Sequence, residues 1–500
     1  MEQHSNSLKF KRLGIHSQQE HYAYMREDCH VCISEGFEAL TRVRITNGKK
    51  SIVASLNVLR TEILETGEIS LSENAIQALG VREGETITAS HLHPINSLSY
   101  VRSKIYGNTL SGVELKEIVQ DIVKGNYSNI HLSAFITACA GNRLSTKEII
   151  SLTEAMIASG QRISWSEAMV VDKHCIGGLP GNRTTPIVVS IVTAFGLTMP
   201  KTSSRAITSP AGTADTMEVM TDVNLSMEQI KKVVEKEGGC IVWGGTAKLS
   251  PADDMLIKIE KALDIDSEGQ LIASVLSKKV AAGSNHAIID MPVGETAKLR
   301  SIAAANELKI EMEKVAHAIG LKLKVVITDG SQPVGRGIGP ALEARDILAV
   351  LRNQTNAPAD LKERALLLAG EILELSGKVE LGDGNDKARE LLESGKACDK
   401  FIAICKAQGR FDEPRLAKYQ HDIKAERTGI IVKVDNRKIA KIAKLAGAPN
   451  NKSAGLDYLT PVGTRVEKDQ TLYVIHAESK GELEYSLEYY HTQQDILTIG

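Results

Sequence analysis

Val171 to Pro186 reads VDKHCIGGLPGNRTTP. The apolar residues Met169 to Val171 run straight into Asp172, Lys173 and His174, then into two glycines, Pro180-Gly181 and Thr184-Thr185-Pro186. An apolar run that ends in charge and then glycine predicts a strand leaving a buried sheet for a loop. Thr185 as N-cap and Pro186 as first helical residue predict that a helix follows. Strand, loop and helix in that order imply a parallel sheet covered by helices. In such sheets ligands bind beyond the carboxyl ends of the strands, where backbone N–H groups and the helix dipole favour an anion. Lys173 adds a charge there, and Thr184 and Thr185 add hydroxyls. No Gly-Lys-Ser/Thr follows at Walker spacing. The loop fits a phosphate cradle, and equally a glycine turn bearing a surface lysine and an Asn-Arg pair.

A second polar loop lies close by in the sequence. Lys201 to Glu218, KTSSRAITSPAGTADTME, packs hydroxyls, Arg205, a glycine and Asp215 between an apolar stretch and a helix from Thr213. An exposed serine-rich loop is the bland alternative; two such loops in one α/β domain make a shared phosphate pocket the more economical reading. Val325 to Thr328 is a further strand, running into glycine-rich Asp329 to Gly339 and a helix from Pro340; helical spacing fills Leu361 to Gln408.

Outward from this centre the pattern changes. Leu115, Ile118, Val119, Ile122 and Val123 recur at helical spacing, and Ser145 to Glu148 forms a capping box. Residues 1–90 alternate as strands, with an Asn47-Gly48 hairpin signal, a helix over Ser72 to Gly80 and a strand over Val81 to Ala89. After 427 the chain turns β-rich again, at Thr428 to Val434 and Thr471 to His476. The expected architecture is α/β and multidomain. A small β-rich N-terminal domain (1–90) precedes a helical domain (91–164, with 252–282 returning to it). A large α/β domain with a parallel-type sheet (165–251 and 283–426) precedes an α+β C-terminal domain (427–500).

Hydrophobic residues make up 42% and charged residues 24% of 500, and the net charge of -2 with pI near 6.7 provides no global attraction for nucleic acid or anionic membrane. Anion binding must be local. Seven scattered cysteines suit a reducing cytosol. Cys29-His30-Val31-Cys32 lacks a second half, so a strand is expected there rather than a zinc site, and no metal is expected. The polar N-terminal stretch has no signal-peptide pattern, and the apolar run Pro186 to Pro200 is too short to span a bilayer. A cytoplasmic location is expected.

These motifs carry a resemblance. VDKHCIGG is similar to the Val-Asp-Lys-His-Ser-x-Gly-Gly loop of the thymidine phosphorylase family, and SSRAITSPAGTADTMEV to its Ser-x-Arg…Gly-Thr-x-Asp-x-x-Glu signature. GNRTT and SRAITSPAGTADTMEV resemble the archaeal-type branch, which includes the AMP phosphorylases. The likeness continues through ASVLSKK (Ala273 to Lys279), GRGIGPALEARD (Gly335 to Asp346) and the C-terminal domain. The resemblance implies phosphate at Lys173, Thr185, Ser203 and Thr213, and His174 facing the nucleoside to stabilise charge on the base. It implies base contacts from Ser274 and Lys278, and Asp266 as proton donor to the leaving base. By the AMP phosphorylase likeness, Gly178, Ser204, Arg205, Ala206, Ile207, Thr208, Ser209, Thr213, Ser274 and Lys298 line the nucleotide site. The implied reaction is phosphorolysis of thymidine to thymine and 2-deoxyribose 1-phosphate, with phosphate as co-substrate, no cofactor and a homo-oligomeric enzyme. AMP phosphorolysis is the alternative, and an anthranilate-type phosphoribosyltransferase a more distant one. Two departures stand out. Cys175 occupies the usual serine position and is a weaker donor. Ile257 to Lys261 carries Lys258 and Lys261 where pyrimidine-specific members have an arginine.

Overall fold

The computed structural model describes residues 6–17, 20–206, 209–247, 249–263, 265 and 267–500. Contacts divide it into two compact units, Met1–Ala155 with Ala252–Gly269, and Met156–Pro251 with Gln270–Gly500. The rest of the 252–282 segment, from Gln270, therefore packs within the second unit.

In the first unit, six strands (Ser7–Phe10, Tyr22–Arg26, Arg42–Asn47, Lys50–Leu59, Glu68–Leu71 and Thr86–His91) close into a barrel. Alternation sets the inward face: Val43 and Ile45 are fully buried, while Arg42, Arg44 and Thr46 between them are not. Asn47 pairs with Lys50, leaving Gly48-Lys49 as a two-residue turn, and Gly48 takes the positive φ of 57° that such turns require. Cys29–Cys32 is not a strand. Cys29 precedes a short helix, His30–Glu35, that buries Cys29, Val31 and Cys32 in the barrel core and exposes Ile33 and Ser34. Burial at a spacing of three, with Gly36 left-handed at the end, overrides the apparent period of two. Beside the barrel lie the helices Ser97–Ile105, Gly112–Val123, Asn129–Cys139 and Thr146–Ser159. Ser111 and Glu114 form a reciprocal cap for the second of these, which buries Leu115, Ile118, Val119 and Ile122. Glu148 caps Ser145 and also holds the buried Lys104 at 2.6 Å.

The second unit is built on parallel strands. Lys322–Asp329, His286–Val293 and Val171–Cys175 pair in that order, and Met199–Ser203 pairs with Gly239–Trp243. A parallel bridge from Val170 to Thr198 joins the two sets. The helix Thr184–Ala194 is buried from Thr184 through Thr193, so it has no polar stripe. It starts two residues before the expected Pro186, with Arg183 rather than Thr185 at the N-cap. Both threonine hydroxyls are instead engaged by Lys173, and proline is tolerated in a first turn, where its missing N–H has no partner to lose. Toward the C-terminus, strands Tyr419–Lys424, Gly455–Tyr458 and Thr471–Ala477 form a sheet with Gly337–Ile338, stitching this part to the rest of the unit. Among the described residues no helix is long and apolar enough to cross a membrane.

Candidate active site

Strand Val171–Cys175 lies mid-sheet and delivers Lys173, His174 and Cys175 to its carboxyl end, where Gly177 and Gly178 turn the chain at φ of 89° and 83°. Only glycine fits at 178, because a Cβ there would come within 2.5 Å of the Lys298 nitrogen. Lys173 Nζ donates to Thr184 Oγ1 at 2.8 Å and Thr185 Oγ1 at 3.4 Å, and faces Asp290 Oδ2 at 3.9 Å. On the opposite face of the strand, Asp172 accepts from Lys279 at 2.5 Å and meets Lys201 at 3.2 Å. Lys201 comes from the neighbouring strand and Lys279 from the helix Glu268–Ala281.

All five of these side chains are buried, three lysines against two aspartates. Water cannot screen that imbalance, so the region favours a bound anion. Burial lowers the affinity of Lys279 for its proton, as does Lys201, with Asp172 working against them. Burial alone would raise Asp172, yet Lys201 and Lys279 bring it below its ordinary value. His174 lies well below the ordinary imidazole range, through burial first and then Lys279, Lys201, Lys278 and Lys173. It is a neutral ring at pH 7.

The second loop leaves strand Met199–Ser203 and enters helix Thr213–Met220. Asp215 Oδ2 accepts from Ala206 N at 2.7 Å and Gly212 N at 3.0 Å, pinning both ends of the loop. Arg183 joins the two loops: it donates to Thr213 Oγ1 (3.0 Å), Ala211 O (2.8 Å) and the buried Glu343 Oε2 (2.7 Å). Thr216 Oγ1 donates to the same Glu343 oxygen at 2.7 Å. Burial raises the Glu343 carboxyl above its ordinary value despite Arg183. Ser203 Oγ is buried with no hydrogen-bond partner among the described residues, a hydroxyl free to meet an anion.

The remaining expected residues divide. Ser274 and Lys278 sit one turn apart on Glu268–Ala281, both half-buried, and Lys278 is near enough to His174 to depress it. Lys298 is half-buried, its backbone against Gly178. Ser204 is exposed, and Ser209 Oγ donates to Ala211 O. Arg205 is engaged by Glu218 at 2.6 and 2.8 Å and by Asp215 at 3.1 Å, and stacks 5.1 Å over Trp243. Asp266, Ile207 and Thr208 lie outside the described residues, as does the side chain of Lys261. Cys175 is a protonated thiol, pushed up to about 12 by burial and by Asp290, and it accepts a long contact from Asn182 at 3.5 Å. Asp290 also accepts from Asn182 at 3.2 Å and Thr328 at 2.6 Å.

Asp172, Lys201, Lys279, Asp290, Arg183 and Glu343 were not anticipated. A charged residue inside an apolar run marks three of them: Met-Pro-Lys-Thr at Lys201, Ile-Ile-Asp-Met at Asp290 and Val-Val-Asp at Asp172. Nothing local marks the Arg183–Glu343 pair.

Comparison with known proteins places the chain in a family. Residues 98–160 match the glycosyl transferase family helical bundle domain, 167–398 its a/b domain, and 430–497 the pyrimidine nucleoside phosphorylase C-terminal domain. A protein of Legionella pneumophila (strain Corby) named "Putative thymidine phosphorylase" is 55% identical over 496 residues, 99% of this chain and 96% of its own. One of the same name from Hahella chejuensis is 56% identical over 484 residues, covering 97% and 96%. The solved anthranilate phosphoribosyltransferase of Thermus thermophilus shares the fold with a TM-score of 0.52 at 19% identity, over 62% of this chain and 98% of that one. That of Saccharomyces cerevisiae gives 0.51 at 16%, over 64% and 99%. Full-length identity at this level decides the matter, and the chain belongs to the thymidine phosphorylase family of nucleoside phosphorylases, which are pentosyltransferases.

Proposed function

We propose that the enzyme cleaves thymidine with inorganic phosphate, giving thymine and 2-deoxyribose 1-phosphate, without a cofactor. The observation that carries this reading is the buried excess of lysine over aspartate at the end of strand Val171–Cys175, flanked by the hydroxyls of Thr184, Thr185, Ser203 and Thr213. Phosphate held there by Lys173 and the hydroxyls attacks the anomeric carbon from the face opposite the base. The C–N bond breaks as the C–O bond forms, and its electron pair stays on the base nitrogen. Charge building on the base is met by the neutral His174, donating a ring N–H, and by Lys278 and Ser274. Asp266 supplies the proton to the departing base in this scheme. The names of the relatives support thymidine as substrate.

The test incubates the protein with phosphate and a panel of nucleosides and nucleoside 5′-monophosphates and measures released base. Phosphate-dependent release of thymine from thymidine is expected. Release from AMP but not from thymidine would replace this reading with AMP phosphorolysis.

A further inference from the structure

Lys452 stands in the C-terminal part of the chain, between helix Asn436–Leu445 and strand Gly455–Tyr458, far in sequence from every residue of the site. Its carbonyl accepts from Ala341 N at 2.9 Å, which ties its backbone to the start of helix Pro340–Leu351. Its ammonium reaches Glu218 Oε2 at 2.8 Å and Asp215 Oδ1 at 3.6 Å. Those two carboxylates also hold Arg205, which bonds both oxygens of Glu218 and packs over Trp243. Two cations thus balance two carboxylates. The other oxygen of Asp215 pins Ala206 N and Gly212 N, the two ends of the second loop. The ends are close enough that a Cβ on Gly212 would meet Ser204 O and Arg205 C at 2.6 Å.

We propose that Lys452 is a positioning residue for nucleoside binding: from the C-terminal domain it neutralises the Asp215–Glu218 pair and so fixes the two ends of the second loop, at Ala206 and Gly212. The proposal rests on the AMP phosphorylase likeness, which puts residues of that loop in the nucleotide site, carried over here to the nucleoside. Without Lys452, two carboxylates share one arginine. Their repulsion falls on Asp215, whose second oxygen is the clasp of the loop. Thr184, Thr185 and Asp290, the partners of Lys173, are not touched by this change, whereas Ser203 and Thr213 border the loop. Lys452 therefore acts first on the nucleoside, and on the anion only through those two flanking hydroxyls.

The experiment compares the full-length wild type with Lys452→Met and Lys452→Arg. Steady-state kinetics with thymidine and phosphate are expected to show the nucleoside KM of Lys452→Met raised about fivefold, with kcat and the phosphate KM within about twofold, and Lys452→Arg close to wild type. A nucleoside KM that stays unchanged in Lys452→Met, or a defect that Lys452→Arg fails to restore, overturns the proposal. A second readout does not depend on turnover. The chain has two tryptophans, Trp165 and Trp243, so 5-fluorotryptophan labelling yields two ¹⁹F resonances, assigned by Trp→Phe variants. Lys452→Met is expected to shift the Trp243 resonance, through Arg205, and leave that of Trp165 in place. A static Trp243 signal overturns the latch. Failure of the wild type to release base from any nucleoside would instead sink the functional reading, and leave the latch to be judged by the ¹⁹F shift.

Discussion

The anion-facing end of the sheet and the helix carrying Ser274 and Lys278 belong to one compact unit, yet they hold their polar groups differently. At the sheet end Lys173, Asp172, Lys201 and Asp290 are buried, and each is fixed by partners from neighbouring strands, from the start of helix Thr184–Ala194 or from the helix Glu268–Ala281. Ser274 and Lys278 are only half-buried, one turn apart on a helix. A phosphate ion is the same in every turnover, so its site can be rigid and preorganised. Bases differ, and the residues proposed to contact them, Ser274 and Lys278, sit on a half-buried helix face. The difference teaches that, in the proposed scheme, a rigid set of strand ends serves the anion and a more exposed helix face serves the base.

Breaking the rigid side should have the largest effect. Lys173→Ala is expected to lower kcat/KM for phosphate by about 10²–10³-fold, read by released base, with the protein still folded by circular dichroism. Wild-type turnover would remove Lys173 from the anion site. Arg183→Met comes next, because it strips the buried Glu343 of its cation. Leaving a buried charge unpaired costs about 3 kcal/mol. Glu343 is already raised, so without Arg183 it will take up a proton. The folded state then binds more protons than the unfolded one above the ordinary glutamate range, and stability falls as pH rises. Urea melts of Arg183→Met should show a loss that grows from pH 5 to 8, and adding Glu343→Gln should remove the pH slope.

Two titrations sharpen the comparison further. His174 is depressed in the folded state, so below its ordinary value near 6.5 the unfolded chain alone carries the proton. Stability from this group is complete above that pH and falls by up to about 1.4 kcal/mol per unit as pH drops below it. His174→Gln should flatten that part of the profile; equal slopes in both proteins would mean a charged, solvated ring. Lys279 is depressed as well, and an anion beside the cluster would restore its proton. Phosphate binding is expected to take up a fraction of a proton, growing as pH rises above neutrality. Calorimetry in buffers of different ionisation enthalpy measures this directly.

What was legible in the sequence follows from the range of the forces involved. The Gly48 turn, the Ser145 cap and the strand into Lys173 are settled within a few residues, and the sequence states them openly. The helix at His30 and the early start at Thr184 depend on burial by distant elements, and local pattern misreads both. The same holds within the site. Lys173, Thr185 and Thr213 stand in glycine and hydroxyl loops that declare themselves. Asp172 and Lys279 are 107 positions apart, and Arg183 and Glu343 160, so no motif could pair them. Lys279 is the neighbour of Lys278 in the sequence, and only the step of about 100° around the helix separates their surroundings.

The smallest expected effect falls on Cys175, and it tests whether the rigid side is complete. Its thiol is protonated and sits against Asp290 and Asn182, so it offers an anion little. Serine is the usual residue of the family at this place, and its hydroxyl is a stronger donor than a thiol. Cys175→Ser keeps the shape of the side chain and adds that donor without moving Lys173. If the cradle lacks one contact, the phosphate KM should fall about threefold with kcat unchanged, the signature of uniform binding. If the hydroxyl is instead drawn to Asp290, as the thiol is, the phosphate KM will not move. The anion is then already fully held by Lys173 and the threonine and serine hydroxyls, and the tolerance for sulfur at this position is explained by that sufficiency.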